Sequence, residues 1–393
     1  MTALNSKRIP SAFSLLTMTR RQVNALLLLV ALVAPHSAMS EQLNERPYVV
    51  TDFNWMDHAR SRPVPARLYW PRHAIHQTSV PLVVFSHGIG GSREGYSYLG
   101  KHLSTNGVAS LHVQHVGSDE ALWRGNPYKV IRRLQAAAQE TEAISRAADV
   151  RFALDQMLSV DAGSRGAAVN RQRIVVAGHS YGANTALLTA GAQVVRGGIT
   201  IDRLDSRFSA AIVISAPPFY GEQDLAAVLG DISIPTLHVT ATDDVIAIPG
   251  FHSGVEDRLA VFDAITHPRK LLAVFHGGSH SMFTDRSFTG GARLNPKVKL
   301  ATAELTLAFF DLIFEDNKEA LLQWQATWQP ILARAPELDS IPQSRVTATS
   351  VDQGDSPLFG LKRFNMNDAN VASEGRAGVG RLSHDPSSIS EPL

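Results

Sequence analysis

Short apolar runs, rich in β-branched residues and closed by glycine or polar residues, alternate along the middle of this chain with longer stretches of helix formers. Residues 81–85 (Pro-Leu-Val-Val-Phe), 173–177 (Arg-Ile-Val-Val-Ala), 210–215 and 271–275 have the length and largely apolar character of buried strands, and 111–115 and 235–240 are strand-like as well. Two earlier pieces, 48–52 and 65–69, predict antiparallel opening strands. Residues 183–190 (Ala-Asn-Thr-Ala-Leu-Leu-Thr-Ala) predict a helix. Across 128–158, apolar residues such as Ile144, Ala148, Phe152 and Met157 recur at spacings of four or five, which predicts a helix laid over the sheet. Residues 300–313 and 320–332 predict closing helices. Buried strands alternating with helices imply an α/β fold with a mostly parallel central sheet flanked by helices.

Gly178-His179-Ser180-Tyr181-Gly182 lies between the strand at 173–177 and the helix at 183–190. In that context a G-x-S-x-G run is a nucleophile elbow, the mark of an α/β-hydrolase sheet. The chain turns so sharply that glycine is needed beside the serine, and the hydroxyl is presented at a helix N-terminus. A serine hydroxyl is a weak nucleophile, so it needs a base to take its proton and a carboxylate to hold that base. On such a sheet the partners follow in the order serine, acid, histidine. The strand at 235–240 runs into Asp243-Asp244, and the strand at 271–275 into His276-Gly277-Gly278-Ser279-His280. Asp244, which opens an Asp-Val-Ile segment, is favoured over Asp243. His280, on a loop after two glycines, is favoured over His276.

Acyl transfer also needs two N–H groups for the tetrahedral oxyanion. The strand at 81–85 leads into Ser86-His87-Gly88-Ile89-Gly90-Gly91, an H-G-x-G loop, and the expected donors are the backbone N–H groups of Ile89 and Tyr181. The loop lacks the glycine and lysine spacing of a phosphate cradle. His87 and His179 are read as scaffold residues.

Taken together, the run 81–103 with residues 86–96 inside it, His115-Val116-Gly117-Ser118, Arg146-Ala147-Ala148-Asp149 with Leu154-Asp155, and the elbow resemble the platelet-activating-factor acetylhydrolase and predicted dienelactone hydrolase-like group of α/β-hydrolases over roughly residues 65–315. The resemblance implies a serine carboxylic-ester hydrolase with no metal or organic cofactor, in which Ser180, Asp244 and His280 match the triad. The acid and histidine segments are also similar to those of cutinase-like polyester hydrolases. Two departures stand out: dienelactone hydrolases use a cysteine nucleophile and this chain has none, and Tyr181 replaces the methionine usual in polyester hydrolases. The expected substrates are short-acyl esters, with phospholipid-type esters among the candidates. A polyester, peptidase or acyltransferase activity, and a non-catalytic binding role, stand as alternatives. With no long insertion between Ser180 and Asp244 the site is expected to be open, with Trp123, Tyr128, Phe219 and Tyr220 as candidate pocket residues.

Composition adds location and exclusions. Arg20-Arg21 precede an apolar run at 25–33, shorter than the roughly 20 residues of a membrane span, and Ala38-Met39-Ser40 offers a cleavage site. Residues 1–40 therefore read as a signal peptide for export to the periplasm or outside the cell, with Met18 as an alternative start and no membrane span after its removal. The body at 41–335 is the expected catalytic domain. From 339 to 393 the chain is rich in Ser, Gly, Asp, Asn and Pro and is expected to be a disordered tail. A net charge of +1, without long charge runs, argues against a nucleic-acid partner. The absence of cysteine means that no disulfide or thiolate contributes.

Overall fold

In chain order the strands among the described residues are β1 (Tyr48–Asp57), β2 (Arg62–Pro71), β3 (Val80–Ser86), β4 (Ala109–Val113), β5 (Val169–His179), β6 (Val194–Arg196), β7 (Ile199–Ile201), β8 (Ala210–Ile214), β9 (Thr236–Ala241), β10 (Ile246–Ile248), β11 (Phe251–Ser253), β12 (Lys270–Phe275) and β13 (Leu332–Arg334). The computed structural model describes residues 46–76, 79–159, 164–196, 198–248 and 251–338. The expected signal peptide and C-terminal tail lie outside the described residues.

Nine strands form one sheet in the order β1-β2-β4-β3-β5-β8-β9-β12-β13. β1, β2 and β4 pair antiparallel, as does β12 with β13. The pairs β4-β3, β3-β5, β5-β8, β8-β9 and β9-β12 are all parallel. This mostly parallel sheet, with an antiparallel entry at one edge and helices on its faces, is the α/β-hydrolase fold. Every residue of β3, β4, β8 and β9 is buried, as strands covered on both faces require. Because β3, β5, β8, β9 and β12 run parallel, the loops leaving their carboxyl ends gather at one edge of the sheet.

Helices cover both faces. The helix Tyr181–Thr189 places Ala183, Ala186 and Leu187 on one side, all fully buried, and packs them with Val84, Val176 and Leu154 in the main core. Burying each large aliphatic side chain is worth about 1.5–3 kcal/mol, so the segment after the elbow is firmly anchored. The single helix expected over 128–158 is two helices, Pro127–Ala137 and Glu140–Leu158. Asn126 caps the first by accepting from Tyr128 N, with Pro127 at the first helical position. Gln139 then turns extended at ψ 155° and breaks the run. The closing helices are Leu294–Glu315 and Glu319–Trp328, and the end of the second predicted helix instead supplies β13. No helix among the described residues is long and apolar enough to cross a membrane.

Candidate active site

Ser180 follows directly on β5, and its backbone is held at φ 55°, ψ −124°. A side-chain-bearing residue adopts such a conformation only under strain. Its N–H donates to the Ile214 carbonyl (2.9 Å) and its carbonyl accepts from Ala183 N (2.8 Å), which ties the turn to β8 and to its own helix. The flanking glycines are needed for close approach. A Cβ on Gly178 would stand 2.0 Å from the Gly182 carbonyl oxygen, and one on Gly182 would stand 2.0 Å from that of Ser86.

The three side chains singled out by their order in the sequence meet at this edge. His280 Nε2 lies 2.8 Å from Ser180 Oγ, and His280 Nδ1 lies 2.8 Å from Asp244 Oδ1. Asp244 is fully buried whereas Asp243 is exposed, so the structure separates the two adjacent aspartates. His276 is exposed, and its backbone N–H, not its ring, bonds the Ile331 carbonyl.

Two hydroxyls and a guanidinium that sequence reading missed converge on the acid. Ser215, at the end of β8 and itself at φ 55°, donates to Asp244 Oδ2 at 2.5 Å and lies 2.8 Å from His280 Nδ1. Thr240 donates to the same Oδ2 at 2.8 Å. Arg258, from the helix Val255–Ala264, reaches Oδ1 at 3.5 Å. Burial pushes the Asp244 carboxyl up, but the His280 hydrogen bond and charge, the Arg258 charge and the Ser215 hydroxyl outweigh it and hold the group well below the usual carboxylate range. Asp244 is therefore an anion at neutral pH and accepts the Nδ1–H of His280, which leaves Nε2 free to face Ser180. A serine at the end of a β strand was the one visible signal for Ser215; nothing local marked Arg258.

In the loop after β3, Gly88 N–H donates to Tyr96 Oη, Gly90 N–H to the Ser118 carbonyl and Gly91 N–H to the Gly88 carbonyl. Among the described residues the N–H of Ile89 has no hydrogen-bond acceptor, and Ile89 and Tyr181 line the same cavity as Ser180. Beneath the loop lies Arg146, fully buried, which donates to Ser86 Oγ (3.1 Å), Ser118 Oγ (2.8 Å), Thr185 Oγ1 (3.1 Å) and the His87 carbonyl. Its guanidinium carbon stands 4.5 Å over the Tyr181 ring. Burial lowers Arg146 to about 10, so it stays charged at neutral pH. Asp149 accepts from His115 Nδ1 (3.0 Å) in the same buried network. The Arg146 and Asp149 of the sequence motif thus form the floor of this loop.

The cavity at Ser180 measures about 1050 Å³. Trp123, Phe219 and Tyr220 line it, whereas Tyr128 does not and is 80% exposed. Trp123 Nε1 donates to the Gly90 carbonyl (2.7 Å), which lays the indole against the loop. Two short ribbons, β6 with β7 and β10 with β11, contribute Val194, Ile201, Ile246 and Phe251 to the walls.

Comparison with known proteins agrees with the sequence resemblance. The family described as platelet-activating factor acetylhydrolase, isoform II, matches residues 60–125, and the family described as lipase (class 3) matches residues 155–251. A platelet-activating factor acetylhydrolase of Cavia porcellus is 23% identical over 288 residues, covering 66% of this chain. The chain spans 59% of that relative's length. Among solved structures, a ferulic acid esterase from Streptomyces cinnamoneus aligns with a TM-score of 0.50 at 21% identity, over 71% of this chain and 93% of that one. These matches bear out the likeness to the acetylhydrolase group and the α/β-hydrolase fold.

Proposed function

We propose that this chain is a serine carboxylic-ester hydrolase that works through an acyl-enzyme. The observation that carries the reading is the unbroken path from Ser180 Oγ to His280 Nε2 and from His280 Nδ1 to Asp244, at 2.8 Å in each step. His280 takes the hydroxyl proton as Ser180 attacks the ester carbonyl, then gives it to the departing alcohol. Asp244 holds the imidazole in the tautomer that leaves Nε2 as the acceptor and stabilises the imidazolium. The N–H groups of Ile89 and Tyr181 receive the oxyanion, and removing one such donor from an enzyme of this kind costs about 2.7–4 kcal/mol of barrier lowering. Water activated by His280 then releases the acid by the reverse path.

The preferred substrate class is a short-acyl ester of a large, partly apolar alcohol, phospholipid-type esters included. A cavity of about 1050 Å³ far exceeds an acetyl group and has room for the alcohol portion. Residues 41–335 serve as the catalytic domain, and residues 1–40 as an export leader; the mass of the mature protein recovered outside the cytoplasm tests that assignment.

Hydrolysis of p-nitrophenyl acetate, followed in parent and Ser180→Ala, tests the chemistry. Turnover should vanish in the variant while its circular dichroism is unchanged. Turnover retained by the variant would end the proposal. A series of acyl and alcohol lengths, run beside a phospholipid and a polyester film, identifies the substrate.

A further inference from the structure

A chain of three hydrogen bonds, two of them buried and the third part-buried, runs past the nucleophile's neighbours. Gly88 N lies 3.0 Å from Tyr96 Oη, Tyr96 Oη lies 2.9 Å from His179 Nδ1, and His179 Nε2 lies 3.0 Å from the His280 carbonyl oxygen. Every direction in it is fixed. A carbonyl can only accept, so His179 Nε2 carries the hydrogen; Nδ1 of the neutral ring must then accept, and it accepts from the Tyr96 hydroxyl. The Tyr96 oxygen in turn accepts the Gly88 N–H. Tyr96 is 2% exposed and His179 3%, so the two bonds of the Tyr96 hydroxyl are shielded from water. Burial pulls His179 down to about 3, which keeps its ring neutral across the ordinary pH range.

The three bonds join three separate segments of the chain. Gly88 precedes Ile89 in the loop after β3, His179 precedes Ser180 at the elbow, and His280 follows β12. The His179 and His280 rings also lie 4.8 Å apart, centroid to centroid. We infer that Tyr96 and His179 are positioning residues, forming a tether that sets the oxyanion loop and the His280 base in register across the nucleophile. The inference rests on the ester-hydrolase reading and deepens it. Neither residue touches the reacting atoms; each acts through its neighbour in sequence or in the hydrogen-bond chain.

The two halves of the tether can be cut separately. His179→Asn keeps a polar group near the Nδ1 position but loses the bond to the His280 carbonyl; His179→Gln reaches that carbonyl but loses Tyr96. Tyr96→Phe removes the hydroxyl alone. Fluorophosphonate titration counts competent sites, and p-nitrophenyl butyrate hydrolysis then gives kcat per titrated site and KM. Each variant should lower kcat per site by about ten- to a hundredfold, the penalty of a small misplacement, with KM within about twofold. The double variant Tyr96→Phe/His179→Gln should be no slower than the slower single one, because either change already opens the chain.

Losses that multiply in the double variant, or that appear only as fewer titratable sites or a raised KM, would overturn the tether while leaving the esterase reading in place. If none of the variants folds, the bonds are structural and the tether is likewise overturned. A parent chain that does not react with the fluorophosphonate would remove the esterase reading itself, and the tether with it.

Discussion

Ser180→Gly should be more stable than Ser180→Ala, although glycine is ordinarily the weaker choice. Both variants lose the hydroxyl and its contact with His280, and both keep the backbone bonds to Ile214 and Ala183, so their difference isolates the Cβ atom. At φ 55°, ψ −124° that atom is held in strain of about 1–3 kcal/mol, which glycine does not suffer. Glycine loses more backbone entropy on folding, about 0.5–1 kcal/mol relative to alanine. The balance favours glycine by roughly 1 kcal/mol. Urea unfolding of the two proteins, compared at equal slope, measures the difference directly as a higher midpoint for glycine. An alanine variant as stable as the glycine variant would refute the view that the elbow stores strain at Ser180.

Gly182→Ala should disrupt both fold and site, because its Cβ would lie 2.0 Å from the Ser86 oxygen and 2.7 Å from that of His87. A loss of about 1–3 kcal/mol or more is expected by thermal unfolding, with hydrolysis falling further as the oxyanion loop is displaced. Asp244→Asn should lower kcat by about 10⁴ with little change in KM, since the imidazole loses its tautomer control, while Asp243→Asn should match the parent; steady-state kinetics decides. Asp311 supplies a pH test away from the site. Burial, followed by the charge of Glu315, raises its carboxyl to about 6, so between its ordinary value and that pH the folded chain binds more protons than the unfolded one. Its contribution to stability falls as pH rises through this window, and Asp311→Asn should be more stable than the parent above it, with the gap closing on acidification in denaturant titrations.

The parts of the site set by strand ends were legible in the sequence, because a short apolar run followed by glycine or polar residues shows where a buried strand stops. Ser180, Asp244 and His280 were found that way, and His280 lies within hydrogen-bonding distance of both of the others. The helix break at Ala138 and Gln139 was not legible, since Ala136, Ala137 and Ala138 favour helix; both break residues line the cavity, and tertiary packing decides there. The ribbons β6-β7 and β10-β11, three residues to a strand, are too short to show a period. Tyr96 meets His179 across 83 residues and Arg258 meets Asp244 from a separate helix, so no spacing rule reaches them. Tyr128 was a pocket candidate on its aromatic character alone, but its place on the outer side of the helix Pro127–Ala137 leaves it exposed.

The most direct measurement is mass spectrometry of the protein after reaction with a fluorophosphonate. A single adduct is expected, carried by the peptide containing Ser180, absent from Ser180→Ala and much slower to form in His280→Ala. No adduct, or one on a different serine with Ser180 untouched, would contradict it.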